Sequence, residues 1–143
     1  MDRFMAIFFA ICAGIFTTLE ATINSKLANI VTPKIATLHN LLTGVLVILV
    51  ANILKGTLNQ YSKIITVSPQ LLIGGAFGTI IVYLGIKSMP ELGATITLSI
   101  IVVAQLISAL LVDVFLLHHR EVRFGNIIGV LLLVAGTYLI LKK

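Results

Sequence analysis

One carboxylate stands inside a long apolar run: Glu20, in the stretch from Phe4 to Ala28. An ionised side chain at the centre of a membrane helix costs about 2.5–3.5 kcal/mol on insertion scales. Such a group turns toward a cavity or a partner. A carboxylate that holds a proton and a cationic solute in turn is the simplest exchange device. The structural alternative sets Glu20 near the membrane surface, paired with Lys26 or Lys34. Thr17, Glu20, Ala21, Asn24 and Ala28 recur at helical spacing and share one face. Asn24 can donate to a solute or satisfy a backbone carbonyl.

Further along, His39 and Asn40 reach a depth similar to Glu20 if the first two helices form a hairpin. A histidine there is either a proton carrier or a hydrogen-bonded structural group. Gln105 and Ser108 belong to a later apolar run, where an amide surrounded by lipid needs a partner. Site lining and helix–helix adhesion both answer that need. Asp113 lies toward the C-terminal end of the same run, where the helix dipole disfavours an anion. Pairing with Arg120 or Arg123 would offset this, which is a structural role. His118 and His119 are adjacent and point apart on a helix, so they do not make a metal site. Tyr83 and Tyr138 fit interfacial anchors. The sequence has no phosphate-binding glycine loop, no metal-ligand cluster and no triad-like set, so neither an enzyme nor a cofactor is expected.

The elements that must position these residues follow from composition. Of 143 residues, 59% are hydrophobic and 10% charged, whereas a soluble domain carries about 25% charge. A bilayer span needs roughly 20 apolar residues, and five such spans use up the length. The expected fold is an all-α membrane protein forming a single five-helix transmembrane domain over 1–143. Its helices are placed at about 4–28, 35–54, 70–86, 91–117 and 125–141. Thr32-Pro33 separates the first two, and residues 55–69 form the longest, partly interfacial connector. Ser88-Met89-Pro90-Glu91 reads as the start of the fourth helix, with Ser88 as its cap and Pro90 in its first turn. The first segment has the outline of a signal peptide but lacks a clear cleavage site, and is read as a mature helix. Cys12 is the single cysteine, so no intrachain disulfide is possible. The net charge of +5 comes from Lys and Arg scattered at the ends of apolar runs, which is the pattern of headgroup anchors. Lipid is therefore the expected partner, and nucleic acid is not.

Five spans place the termini on opposite sides. Arg3, Lys55, Lys63, Arg120 and Arg123 fall on one side, and Lys26, Lys34, Lys87, Lys142 and Lys143 on the other, five against five. A protein inserted one way round shows an excess. The balance predicts dual topology, unless Lys26 and Lys87 are buried and drop out of the count. Transporters with inverted repeats need two halves of opposite orientation around a midplane site. A five-helix chain is half of such a transporter, completed by an antiparallel copy of itself or a paralogue. Gly74-x-x-x-Gly78 and Gly125-x-x-x-Gly129 permit close helix approach, either at a dimer interface or within one chain.

Two segments carry a resemblance. Leu19-Glu20-Ala21-Thr22-Ile23-Asn24-Ser25-Lys26-Leu27 is similar to the first-helix motif of the YdcZ-type proteins. Met89-Pro90-Glu91-Leu92-Gly93-Ala94-Thr95, continuing through Ala104-Gln105-Leu106, Ser108 and Asp113, resembles their fourth helix. The stretch from Gly129 to Gly136 fits their last. That family belongs to the drug/metabolite transporter superfamily. The resemblance implies a five-helix protein of the bacterial inner membrane, assembled antiparallel by analogy with the small multidrug exporters, which use a first-helix glutamate for proton exchange. The YdcZ-type pattern usually has glutamine where this chain has Glu20, so the coupling role is not carried over with the likeness.

The expected function is a secondary transporter: a proton-coupled exporter of a small organic solute, working by alternating access. Its lining would comprise Thr17, Glu20, Asn24, His39, Asn40, Gln105 and Ser108. A small ion channel and a non-transporting accessory subunit are the alternatives.

Overall fold

The computed structural model describes residues 2–112, 114 and 124–142. Five helices are long and apolar enough to cross a membrane, and among the described residues there is no strand. They are α1 (Arg3–Ala28), α2 (Pro33–Lys55), α3 (Gly74–Leu92), α4 (Ala94–Val112) and α5 (Phe124–Leu141). Two short 3-10 helices, Leu58–Thr66 and Pro69–Leu71, occupy the connector before α3. The chain is an all-α membrane protein.

Its contacts cluster into two units, Met1–Glu91 and Leu92–Lys143. In the first, α1 and α2 pack side by side. The turn between them is chemically specified. Thr32 caps α2, its Oγ1 accepting from the Ile35 N–H at 3.2 Å, and Pro33 takes the first helical position. That position needs no N–H and suits the fixed φ of proline. The far end of α2 stops at Gly56, with φ 64°. There the Gly56 N–H donates to the Ile53 carbonyl at 3.1 Å and the Thr57 N–H to the Asn52 carbonyl at 3.0 Å. These two bonds are the Schellman closure, which glycine makes without a Cβ penalty.

The packed core of this unit sits at the α1–α2 turn. Ala28, Ala36 and Ile86 are buried together, with Leu27 and Val82 against them. Two alanines at the crossing let α1, α2 and the C-terminal half of α3 approach closely, which is how helices gain contact where lipid removes the hydrophobic drive. Most other large apolar side chains point outward, as lipid-facing surface does.

The junction between α3 and α4 departs from expectation. Ser88 does not cap a helix. It lies inside α3, its hydroxyl donating to the Leu84 carbonyl at 2.8 Å. The helix runs through Pro90 to Leu92. A proline in the last turn removes one donor, the bond its own nitrogen would make to the carbonyl of Ile86, and so does not end the helix. The terminator is Gly93, at φ 79°, a conformation costly for any residue with a Cβ. Its carbonyl accepts from the Thr97 N–H at 3.1 Å, the first bond of α4. In the second unit α4 and α5 lie side by side. The expected end of the fourth helix at 117 lies outside the described residues, as do Asp113, His118, His119, Arg120 and Arg123.

Candidate functional site

Glu20 and Asn40 meet. Asn40 Nδ2 donates to Glu20 Oε1 at 2.7 Å, joining α1 to α2. The sequence placed the two at similar depth, and the hairpin explains why. Glu20 lies eight residues before the end of α1 and Asn40 seven residues after the start of α2, so each is ~11 Å from the turn at 1.5 Å per residue. Helices of 26 and 23 residues then put both groups ~6 Å from their helix midpoints, inside a hydrocarbon layer about 30 Å thick. The partner of the carboxylate is thus a neutral amide rather than Lys26 or Lys34. A hydrogen bond to an ionised acceptor is the strong kind, yet Asn40 brings no positive charge.

The neighbours of this pair differ in access. Asn24, one turn beyond Glu20, is buried, as is Ser25. Glu20, Thr17 and His39 are exposed and Asn40 is half-buried. Thr17 donates its hydroxyl to the Ala13 carbonyl at 2.8 Å, and the His39 carbonyl accepts from the Thr43 hydroxyl at 2.9 Å. The site is therefore a half-open polar face: one side is closed by the hairpin contact at Asn24 and Ala28, and the other is open at Glu20 and His39. Gln105 and Ser108 belong to the second unit, where both are exposed on α4.

At each of Gly74, Gly78, Gly125 and Gly129 an added Cβ would meet nothing within 4 Å. Within its own unit, none of the four brings one described helix close to another. Lys26 and Lys87 are both exposed.

Sequence reasoning missed two polar groups. Thr37 is buried beside Ala36, with its hydroxyl donating to the Pro33 carbonyl at 2.7 Å. Thr97, in the first turn of α4, is 2% exposed, and among the described residues its hydroxyl has no hydrogen-bond partner. The hydroxyls of Thr17, Thr18, Thr22, Thr37, Thr43, Thr79 and Ser88 all fold back onto the carbonyl four residues earlier, and Thr97 does not. Nothing in its sequence neighbourhood marks the difference.

Among the described residues no group of three or more His, Cys, Asp or Glu side chains could hold a metal ion. Comparison with known proteins gives a consistent identity. The family model described as "Putative inner membrane exporter, YdcZ" matches residues 5–139. The inner membrane protein YdcZ of Escherichia coli (strain K12) is 29% identical over 147 residues, an alignment covering 100% of this chain and 99% of that protein. No solved structure matches. With nearly the whole chain matched and five spans present, this is a multi-pass protein of the inner membrane, and it belongs to the YdcZ family of membrane exporters.

Proposed function

We propose that the chain is one half of a proton-coupled exporter of small organic solutes, working by alternating access as an antiparallel dimer. The observation that carries this reading is the Glu20–Asn40 contact: a carboxylate within the hydrocarbon layer, oriented by a neutral amide and open on one side. An anion with no fixed countercharge has two ways to be neutralised, by a proton or by a cationic group on a solute. Exchange between the two is the coupling step. Thr17, Asn24 and His39 extend the polar face on the same hairpin, and Gln105 and Ser108 on α4 are further candidate solute ligands.

Three observations support a dimeric arrangement. The basic residues balance five against five, with Lys26 and Lys87 exposed and therefore counted. At the glycines of the α3 and α5 motifs an added Cβ would meet nothing within 4 Å, which leaves room for a helix of another chain. The polar face is half-open, and a copy of opposite orientation would close it. An inverted repeat around a midplane site is the arrangement by which secondary transporters alternate access.

The test is transport by purified protein in liposomes carrying a lumenal pH indicator. Addition of a transported solute should move the lumenal pH, and the Glu20→Gln variant should lose that movement by at least about tenfold. Transport that persists in Glu20→Gln defeats the coupling role. Single-channel conductance without saturation or counterflow defeats the carrier itself. A reporter at the C-terminus that is active on one side of the membrane only defeats dual topology.

A further inference from the structure

A second cavity lies on the opposite half of the α1–α2 hairpin from the polar face. It is a groove of about 630 Å³ between the C-terminal half of α2 and the 3-10 helix that follows. Val45, Ile48, Leu49 and Asn52 form its α2 wall, a single stripe at helical spacing, and Leu58 and Tyr61 stand opposite. Two of the polar side chains in the wall, Asn52 and Thr57, are turned on one another, and the exposed Gln60 adds an amide to the lining. Asn52 Nδ2 donates to the Ile48 carbonyl at 2.8 Å, and Asn52 Oδ1 accepts from the Thr57 hydroxyl at 2.7 Å. No charged side chain lines the groove. A charged solute would find no countercharge among these lining residues, whereas a hydrocarbon chain along the α2 stripe would meet Val45, Ile48 and Leu49 and leave the exposed Gln60 and Tyr61 at the water side.

Its position and its flanks narrow the occupant. A 23-residue helix spans ~34 Å, so Lys55, its last residue, reaches the headgroup layer of a bilayer with a 30 Å core. The Gly56 turn then carries the chain sideways into the 3-10 helix, where Lys63 is exposed. Between Glu20 and Glu91 the sequence contains no acidic residue. Lys55 and Lys63 follow the lining residues Asn52 and Tyr61 by three and two positions, and both are exposed.

We propose that this groove binds an anionic glycerophospholipid, with one acyl chain along the α2 stripe and the phosphate group against Lys55 and Lys63. The site is separate from Glu20 and does not depend on the exporter reading. It ties the connector to the membrane surface through a specific lipid.

The sequence has no tryptophan, which gives a direct probe. The Tyr61→Trp variant, at a position 71% exposed, carries a single indole at the groove mouth. Reconstituted with phosphatidylglycerol bearing brominated acyl chains, its fluorescence should be quenched at a mole fraction about fivefold to thirtyfold lower than with brominated phosphatidylcholine. That range is what one to two lysines contribute near an anionic surface. Adding Lys55→Gln and Lys63→Gln to the same variant should remove the preference while leaving the helical circular dichroism unchanged. Equal quenching by the two lipids overturns the proposal. So does relief of quenching by a water-soluble organic cation, which would make the groove a solute site.

Discussion

The two helical hairpins are built on different principles. Between α1 and α2 there is a directional bond, Asn40 to Glu20, and beside it a tight crossing through Ala28 and Ala36. Buried Asn24, Ser25 and Thr37 surround that crossing. Between α4 and α5, among the described residues, no side-chain hydrogen bond is formed, and a groove of about 330 Å³ remains, lined by Leu98, Val102, Leu133, Gly136 and Ile140 among others. Water is not available to press apolar faces together in a bilayer, so helices are ordered by close packing and by polar pairs. The first hairpin uses both and has a fixed register. In the second, no side-chain hydrogen bond joins the described residues, and the groove between the helices is lined by apolar side chains together with Ser99 and Thr137. The polar chemistry is concentrated where the register is fixed, because a donor and an acceptor must meet to within a few tenths of an ångström.

Substitutions can break this contrast. The largest effect is expected from Ala36→Leu. Ala36 is wholly buried, and forcing a larger side chain into a packed site costs about 1–3 kcal/mol, to be read as a lower unfolding midpoint in mixed detergent. Asn40→Leu leaves the shape similar but removes the donor. The cost is then the interhelical bond alone, about 0.6–1.7 kcal/mol. A double-mutant cycle with Glu20→Leu, which removes the acceptor, isolates that value, and a coupling near zero would show that the bond does not set the register. Thr97→Val probes the second unit. Its hydroxyl is buried and, among the described residues, unpaired, so an isosteric apolar side chain should raise stability by about 1 kcal/mol. A loss of transport in that variant, with stability raised, would mean the hydroxyl serves a solute. The smallest effect is expected from Gly136→Leu, which extends into open space in the α4–α5 groove. It should change stability by less than about 0.5 kcal/mol. A loss as large as that of Ala36→Leu would show that this hairpin is packed as tightly as the first.

Much of this arrangement is legible in the sequence. Five apolar runs with polar punctuation announce five spans, because the bilayer leaves few alternatives. The common depth of Glu20 and Asn40 follows from counting residues on either side of Thr32-Pro33. Their bond does not follow, since it depends on the rotation of α2 about its axis, which the Ala28–Ala36 contact sets. The start of α4 is misread for a different reason. Ser88 and Pro90 suit a helix beginning and a helix's last turn equally well, and only the backbone angle at Gly93 decides. The glycine motifs are legible as permission for close approach but not as to what approaches. Thr97 is invisible in sequence because threonine in a helix ordinarily folds onto its own backbone.

That same habit sets the hydrogen-bonding sign of α1. Thr17, Thr18 and Thr22 have each committed their hydroxyl proton to a carbonyl of their own helix. What they can still offer outward is lone pairs. Glu20, when ionised, offers the same. Thr17 and an ionised Glu20 present lone pairs on one face of the helix, and Thr18 and Thr22 present them on another. A donor group placed against Thr17 and an ionised Glu20 would meet lone pairs at both, and another acceptor placed there would meet repulsion.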